Sequence, residues 1–257
     1  MRFCWLIAAS AIVLGLSAPA RSADLTARPY VKAPAPMAST IYDWSGLYLG
    51  INAGGGSARE CWNLVTDQDG AAVNAPNHQG CHDATGATVG GQLGYRWQAS
   101  SWVFGVEGQG NWADFSGSNR SANVVAPFNT DTNRSRIDSF GLITGHVGYA
   151  WSNVLTYVKG GAAVVGSNFD RLAPNGAVNA SASETRWGGT VGAGLEIGFA
   201  PNWSVGVEYN HVFLSDRNSS FTTPAGNFDG TDRVHQNVDM GMVRVNYRWG
   251  GPAVAKY

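Results

Sequence analysis

Charge is the first thing this sequence is short of. Only 14% of its 257 residues are Asp, Glu, Lys or Arg, and 17 basic against 18 acidic residues leave a net charge of −1. No basic stripe or Lys/Arg cluster occurs, which excludes a surface built for nucleic acid. Long apolar runs are equally rare. The only one, Phe3 to Leu16, follows Arg2 and gives way to small residues before Asp24, the pattern of a secretory signal peptide rather than a membrane anchor. Cleavage is expected after Ala23, with Ala20 as the alternative. Nothing further along is long and apolar enough for a transmembrane helix. Cysteine is also scarce. Of the three, Cys4 departs with the signal and stands too near the start to carry a lipoprotein's lipid. Cys61 and Cys81 remain, an even pair in an exported chain, for which a disulfide is expected.

Glycine, in contrast, is abundant, with 34 residues, and it falls in a pattern. Between Gly189 and Asn210 one parity reads Val191, Ala193, Leu195, Ile197, Phe199, then Trp203, Val205, Val207, Tyr209. The other parity is mostly glycine, with Glu196 and Glu208 near the middle of the two segments. A period of two marks strands, and it recurs near 46–56, 86–98, 102–113, 138–151, 154–167, 185–199, 203–212 and 236–249. The connections alternate. Those near 57–85, 114–137, 168–184 and 213–235 are long, whereas "QASS", "WSN" and "APN" are short.

Short turns at one end and long loops at the other are the signature of an up-and-down barrel in an outer membrane. The expected fold is therefore all-β: an eight-stranded antiparallel transmembrane β-barrel over residues 46–249. Ahead of it lie the signal peptide, 1–23, and a periplasmic tether, 24–45, extended by Pro29, Pro34 and Pro36; a tail, 250–257, follows. Both ends would be periplasmic and the long loops extracellular. In lipid the apolar parity faces outward, and the inward parity must be small or polar because eight strands enclose only enough space for side chains. Tyr95, Trp97, Trp102, Tyr149, Trp151, Phe199, Trp203, Tyr247 and Trp249 gather at the short-turn end, as an interfacial girdle would.

The stretches "YDWSGLYLGINAGGG", "GYAWSNVLTYVKGG", "AGLEIGFAPNWSVGVEYNH" and "VRVNYRWGGPAVAKY" resemble the small outer-membrane β-barrel family of alphaproteobacteria, whose members are described as outer-membrane immunogenic, porin-family or hemin-binding proteins. The resemblance runs over the whole chain beyond the signal and implies a surface protein of a Gram-negative outer membrane. Its partners would be outer-membrane lipids, lipopolysaccharide and the barrel-assembly machinery, with hemin or host surface molecules as further candidates. No cofactor is expected.

Inward parity assigns Arg96, Glu107, His146, Lys159, Glu196, Glu208 and Arg244 to the lumen, each four to eight residues from a short turn or from the end of the barrel. At about 3.3 Å per residue and a strand tilt of about 40°, they form one layer. Glu196 and Glu208 face each other across "FAPNWS". Arg244 is the expected counter-ion on the strand beside Glu208, and Lys159 the one on the strand beside Glu196. Such a layer reads as an ionic plug, with a gated constriction as the alternative. His78 and His82 beside Cys81 read as solvated loop residues before they read as metal or heme ligands. His211 and Ser215 fall near the rim, with His211 on the lipid parity, so no catalytic residue is assigned. Phe128, Phe169, Phe221 and Phe228 lie among polar residues in the long loops, a composition compatible with surface adhesion.

Overall fold

The computed structural model describes residues 42–122 and 130–249; the signal peptide, residues 24–41 of the tether, Phe128 and the tail lie outside them. The strands are β1 (Gly46–Thr66), β2 (Ala72–Ala99), β3 (Trp102–Arg120), β4 (Thr132–Trp151), β5 (Val154–Leu172), β6 (Val178–Ala200), β7 (Trp203–Leu214), β8 (Arg217–Thr222) and β9 (Phe228–Trp249). Every pairing is antiparallel between neighbours, and β1 pairs with β9 along nearly its whole length, closing the sheet on itself. β7 and β8 both lie between β6 and β9, so together they make one interrupted stave and the ring has eight.

At the short-turn end, the turns Ser100–Ser101, Ser152–Asn153 and Pro201–Asn202 each separate a directly paired couple: Ala99 with Trp102, Trp151 with Val154 and Ala200 with Trp203. Ser100 and Ser152 take positive φ, 58° and 55°, the conformation whose twist matches two antiparallel strands. Next to these turns the outward aromatics pack edge to face or tilted: Tyr95 with Trp97, Tyr149 with both Trp102 and Trp151, and Tyr247 with both Trp203 and Trp249. Trp112 and Trp187, 76% and 64% exposed, stand farther along the outer surface. Between these levels Leu49, Ile51, Leu93, Val106, Ile143, Val191, Leu195, Val207 and Val243 face outward. This apolar belt is what a bilayer would cover.

The long connections differ from expectation. Residues 57–66, 72–85, 114–120, 132–137, 168–172, 178–184, 217–222 and 228–235 are strand rather than loop. Three of the hairpins end in the same tight turn. In Asp67–Ala71, Ala173–Ala177 and Thr223–Asn227 the first and last residues are hydrogen-bonded and the fourth is a glycine at φ 79° to 83°. The alternation went unread because its phase reverses above the belt. On β1, Leu47, Leu49 and Ile51 face out, whereas Trp62 and Leu64 face in; on β9, Val243 faces out, whereas Val234, Val238 and Met240 face in. Lipid selects apolar residues on the outer face, water selects polar ones, and the interior must be filled at both levels.

Filling proceeds in layers. Along β9 the inward residues run Arg248, Asn246, Arg244, then Met242, Met240, Val238, then Gln236, Val234 and Asp232, all buried. The methionines belong to an apolar layer with Phe115, Ile137, Phe140, Leu142, Val165, Val212 and Leu214. A second apolar layer near the hairpin tips joins Trp62, Phe169, Ala180, Phe221 and Val234. Phe169 and Phe221 are fully buried there, so they are core residues and not the exposed loop aromatics expected; Phe228 is partly exposed.

Candidate functional site: the ionic layer of the lumen

All seven charged or titratable residues expected inside the barrel are buried, with relative exposures of 0% to 6%. The layer is built twice, half a barrel apart. On β1–β3, Tyr48, Gly94 and Glu107 pair across neighbouring strands, and the Tyr48 hydroxyl donates to Glu107 Oε2 at 2.6 Å. On β5–β7, Tyr157, Gly194 and Glu208 pair in the same way, and Tyr157 donates to Glu208 Oε2 at 2.6 Å. Glycine is required between them, because a Cβ on Gly94 would run into the Tyr48 ring and one on Gly194 into the Tyr157 ring. The repeat continues on the next strand: Gly105 pairs with His146, and Gly206 with Arg244.

Charge is what differs between the halves. Arg96 occupies the place in one that Glu196 holds in the other, two residues beyond Gly94 and Gly194. The two meet in a bidentate pair, Nη1 to Oε1 at 3.0 Å and Nη2 to Oε2 at 2.7 Å, the geometry in which guanidinium and carboxylate interact most strongly. Asn246 at 2.9 Å and the Ser204 hydroxyl also donate to Glu196 Oε1, and the Arg96 guanidinium lies 4.2 Å from the centre of the Tyr48 ring. Arg244 bridges Glu107 and Glu208. Lys159 Nζ bridges the same two carboxylates, 3.2 Å from Glu107 and 2.7 Å from Glu208. Arg96, Lys159 and Arg244 thus balance Glu107, Glu196 and Glu208.

One expectation is corrected by this geometry. Lys159 serves Glu107 and Glu208 rather than Glu196, whose partner is Arg96. Glu196 and Glu208 are held by separate cations. Arg244 does meet Glu208, as the adjacency of their strands implied. His146 packs with its ring 5.6 Å from that of Tyr157. Tyr48 and Tyr157 were missed in the sequence. The signal for them was the repeated "FGVE" (104–107) and "VGVE" (205–208), which mark equivalent strands and lead back to equivalent neighbours.

Residues 42–45, assigned to the tether, close the short-turn end of the lumen. Trp44 is 1% exposed and its amide donates to Gln98 Oε1 at 2.8 Å. The Tyr42 ring lies 4.5 Å from that of Trp44 and 5.5 Å from the Arg248 guanidinium. Above the belt, Cys61 and Cys81 are directly opposed and bonded on the outer face of β1–β2. His78 and His82 do not converge: His78 is exposed beside Cys81 and Asn63, whereas His82 is buried in the interior, a correction to its solvated reading. His211 pairs with Asp239 on the outer face at 2.6 Å.

Residues 8–248 match the outer membrane protein beta-barrel domain family. The chain is 31% identical over 222 residues to the 31 kDa outer-membrane immunogenic protein of Brucella melitensis, covering 81% of this chain and 88% of that protein. It is 28% identical over 214 residues to the 25 kDa outer-membrane immunogenic protein of Brucella canis, covering 83% and 85%. Among solved structures, the outer membrane protease OmpT from Escherichia coli superposes with a TM-score of 0.51 at 10% identity, covering 79% of this chain and 97% of that one, a likeness of fold alone. With its closed ring, apolar belt and filled polar interior, the chain belongs to the outer membrane protein beta-barrel domain family and is an outer-membrane protein similar to the Brucella immunogenic proteins.

Proposed function

We propose that this protein is a closed structural barrel of the Gram-negative envelope, with its long hairpins displayed at the cell surface and both chain ends in the periplasm, and that its lumen does not conduct. One observation carries the reading: a single strand, β9, contributes to polar, ionic and apolar layers in succession, and each inward residue from Asp232 to Arg248 is buried. A porin keeps its charged constriction hydrated. Here the carboxylates are consumed by cations, hydroxyls and amides, and apolar layers lie beyond them. Outer-leaflet lipopolysaccharide and the barrel-assembly machinery are the partners this role requires.

The same filling argues against catalysis. Asn119, His82 and Ser135 stand in the order of a hydrolytic triad, His82 Nδ1 lying 2.7 Å from Asn119 Oδ1 and Nε2 3.1 Å from Ser135 Oγ. Ser135, however, is fully buried and its backbone is committed to the ladder with β3 and β5, which leaves neither a path for substrate nor a free amide to hold an oxyanion. Swelling of proteoliposomes tests the closed reading: vesicles carrying the refolded protein should swell in arabinose no faster than protein-free vesicles, and accelerated swelling would favour a narrow porin.

A further inference from the structure

Glu60 and His82 are a buried acid and base that the ionic layer does not use. They are directly paired across β1 and β2, one residue from the Cys61–Cys81 bridge, which alternation places on the opposite face. Glu60 is 0% exposed, and its Oε2 stands 3.6 Å from His82 Nε2. Apolar layers lie on either side, and the whole group sits beyond the apolar belt.

Hydrogen-bond direction leaves room for one proton. Asn119 donates through Nδ2 to the carbonyls of Gln79 and Arg120, both at 2.9 Å, so its Oδ1 must accept from His82 Nδ1. A neutral His82 then carries its hydrogen on Nδ1 and presents Nε2 as an acceptor to the Ser135 hydroxyl at 3.1 Å. On the other side Glu60 Oε1 accepts from Gln236 Nε2 at 2.7 Å, and Oε2 makes no hydrogen bond. The surrounding strands bring no free counter-charge. Ser135 of β4 and Ser167 of β5, the latter through Gln236, are neutral. Arg186 of β6 is engaged by Glu184 at 2.9 Å and by Ser219 of β8 and the Val234 carbonyl of β9. Asp83 and Arg59 pair with each other on the exposed outer face.

We propose that Glu60 and His82 together hold a single proton, carried on the Glu60 carboxyl while the facing His82 stays neutral, and that this trapped proton keeps the long-hairpin half of the barrel closed through the mildly acidic range. Burial acts on both groups in the direction the geometry requires. It pushes the Glu60 carboxyl up to about 7 and pushes the His82 imidazole below its ordinary value of 6.5. In an opened hairpin between about pH 4.5 and 6.5 the carboxyl is ionised and the imidazole charged, so the pair also holds one proton, merely on the other partner. Equal proton counts in the two states mean that closing is independent of pH there.

Either partner alone would lose that compensation. In Glu60→Gln the closed state leaves His82 neutral while the opened state charges it, so closure should weaken as pH falls below 6.5. In His82→Gln the closed state keeps the Glu60 proton that the opened state releases, so closure should weaken as pH rises from 4.5 towards 7. The readout is amide exchange of residues 57–66 and 77–86, corrected for intrinsic rate, in the whole protein refolded into lipid nanodiscs. Protection should be flat between pH 4.5 and 6.5 in the native chain and in the double variant. It should slope by up to about tenfold per pH unit in opposite directions in the two single variants. Parallel slopes in all four proteins would overturn the proposal. Should a variant fail to fold, NMR of the native protein decides it: a protonated Glu60 carboxyl with an Nδ1–H neutral His82 at pH 6 supports the shared proton, and a carboxylate facing an imidazolium refutes it.

Discussion

Two polar layers of the interior solve the same problem in different ways. Level with the apolar belt, Arg96, Lys159 and Arg244 meet Glu107, Glu196 and Glu208 charge for charge. Beyond the belt, Glu60 and His82 are surrounded by amides and hydroxyls, and the guanidinium of Arg186 is paired with Glu184. Within the belt each carboxylate is met by a guanidinium or ammonium group, so the layer balances without a shared proton. In the Glu60–His82 layer the partners are a carboxyl and an imidazole, and neutrality depends on where one proton sits. The contrast shows that burial alone does not make a polar layer responsive; what matters is whether its charges can be cancelled without moving a proton.

Breaking the fixed layer should have the largest effect. Arg244→Met leaves Glu107 and Glu208 with only Lys159, and removing one member of a buried ion pair costs about 3 to 5 kcal/mol; urea unfolding in lipid vesicles measures it. Glu196→Gln should follow closely, because among the described residues Arg96 is ion-paired to no second carboxylate, and the amide can replace only one of the two guanidinium bonds. Cutting the Cys61–Cys81 bridge acts on the other layer. By the chain-entropy estimate Cys61→Ser should cost up to about 3 kcal/mol, with the barrel still forming and one thiol becoming reactive. Gly194→Ala should cost about 1 to 3 kcal/mol by overpacking, since its Cβ meets the Tyr157 ring, whereas Gly110→Ala, on the outer face with nothing within 4 Å, should leave stability unchanged. A tag near Ala71 should be reachable on intact cells, and one near Ser100 should not.

Legibility in the sequence followed the solvent. Where lipid covers the wall, apolar residues alternate with glycine and charge, so strands such as 154–167 and 203–212 were read close to their true span within β5 and β7, and inward parity placed all seven residues of the ionic layer. Where water covers the wall, the outward face turns polar: Arg59, Cys61 and Asn63 alternate with Glu60, Trp62 and Leu64, and a strand looks like a loop to a search for outward apolar residues. Following Trp62, Phe169 and Phe221 as an inward parity would have extended the strands. The pairing inside the layer was beyond adjacency arguments. Arg96 and Glu196 sit on β2 and β6, which share no ladder, and meet only across the lumen. Their position is legible in hindsight from the repeated Tyr–Gly–Glu rows, which set the two halves opposite each other.

The central claim is that the lumen is sealed by its own side chains, and single-channel recording across a planar bilayer tests it most directly. The refolded native protein should produce no unitary current steps, and Arg244→Met should unfold at lower urea while remaining silent. Steps in the native protein whose ion selectivity shifts in Arg244→Met, with stability unchanged, would contradict the account, because they would mean that Glu107 and Glu208 face water rather than Arg244 and Lys159.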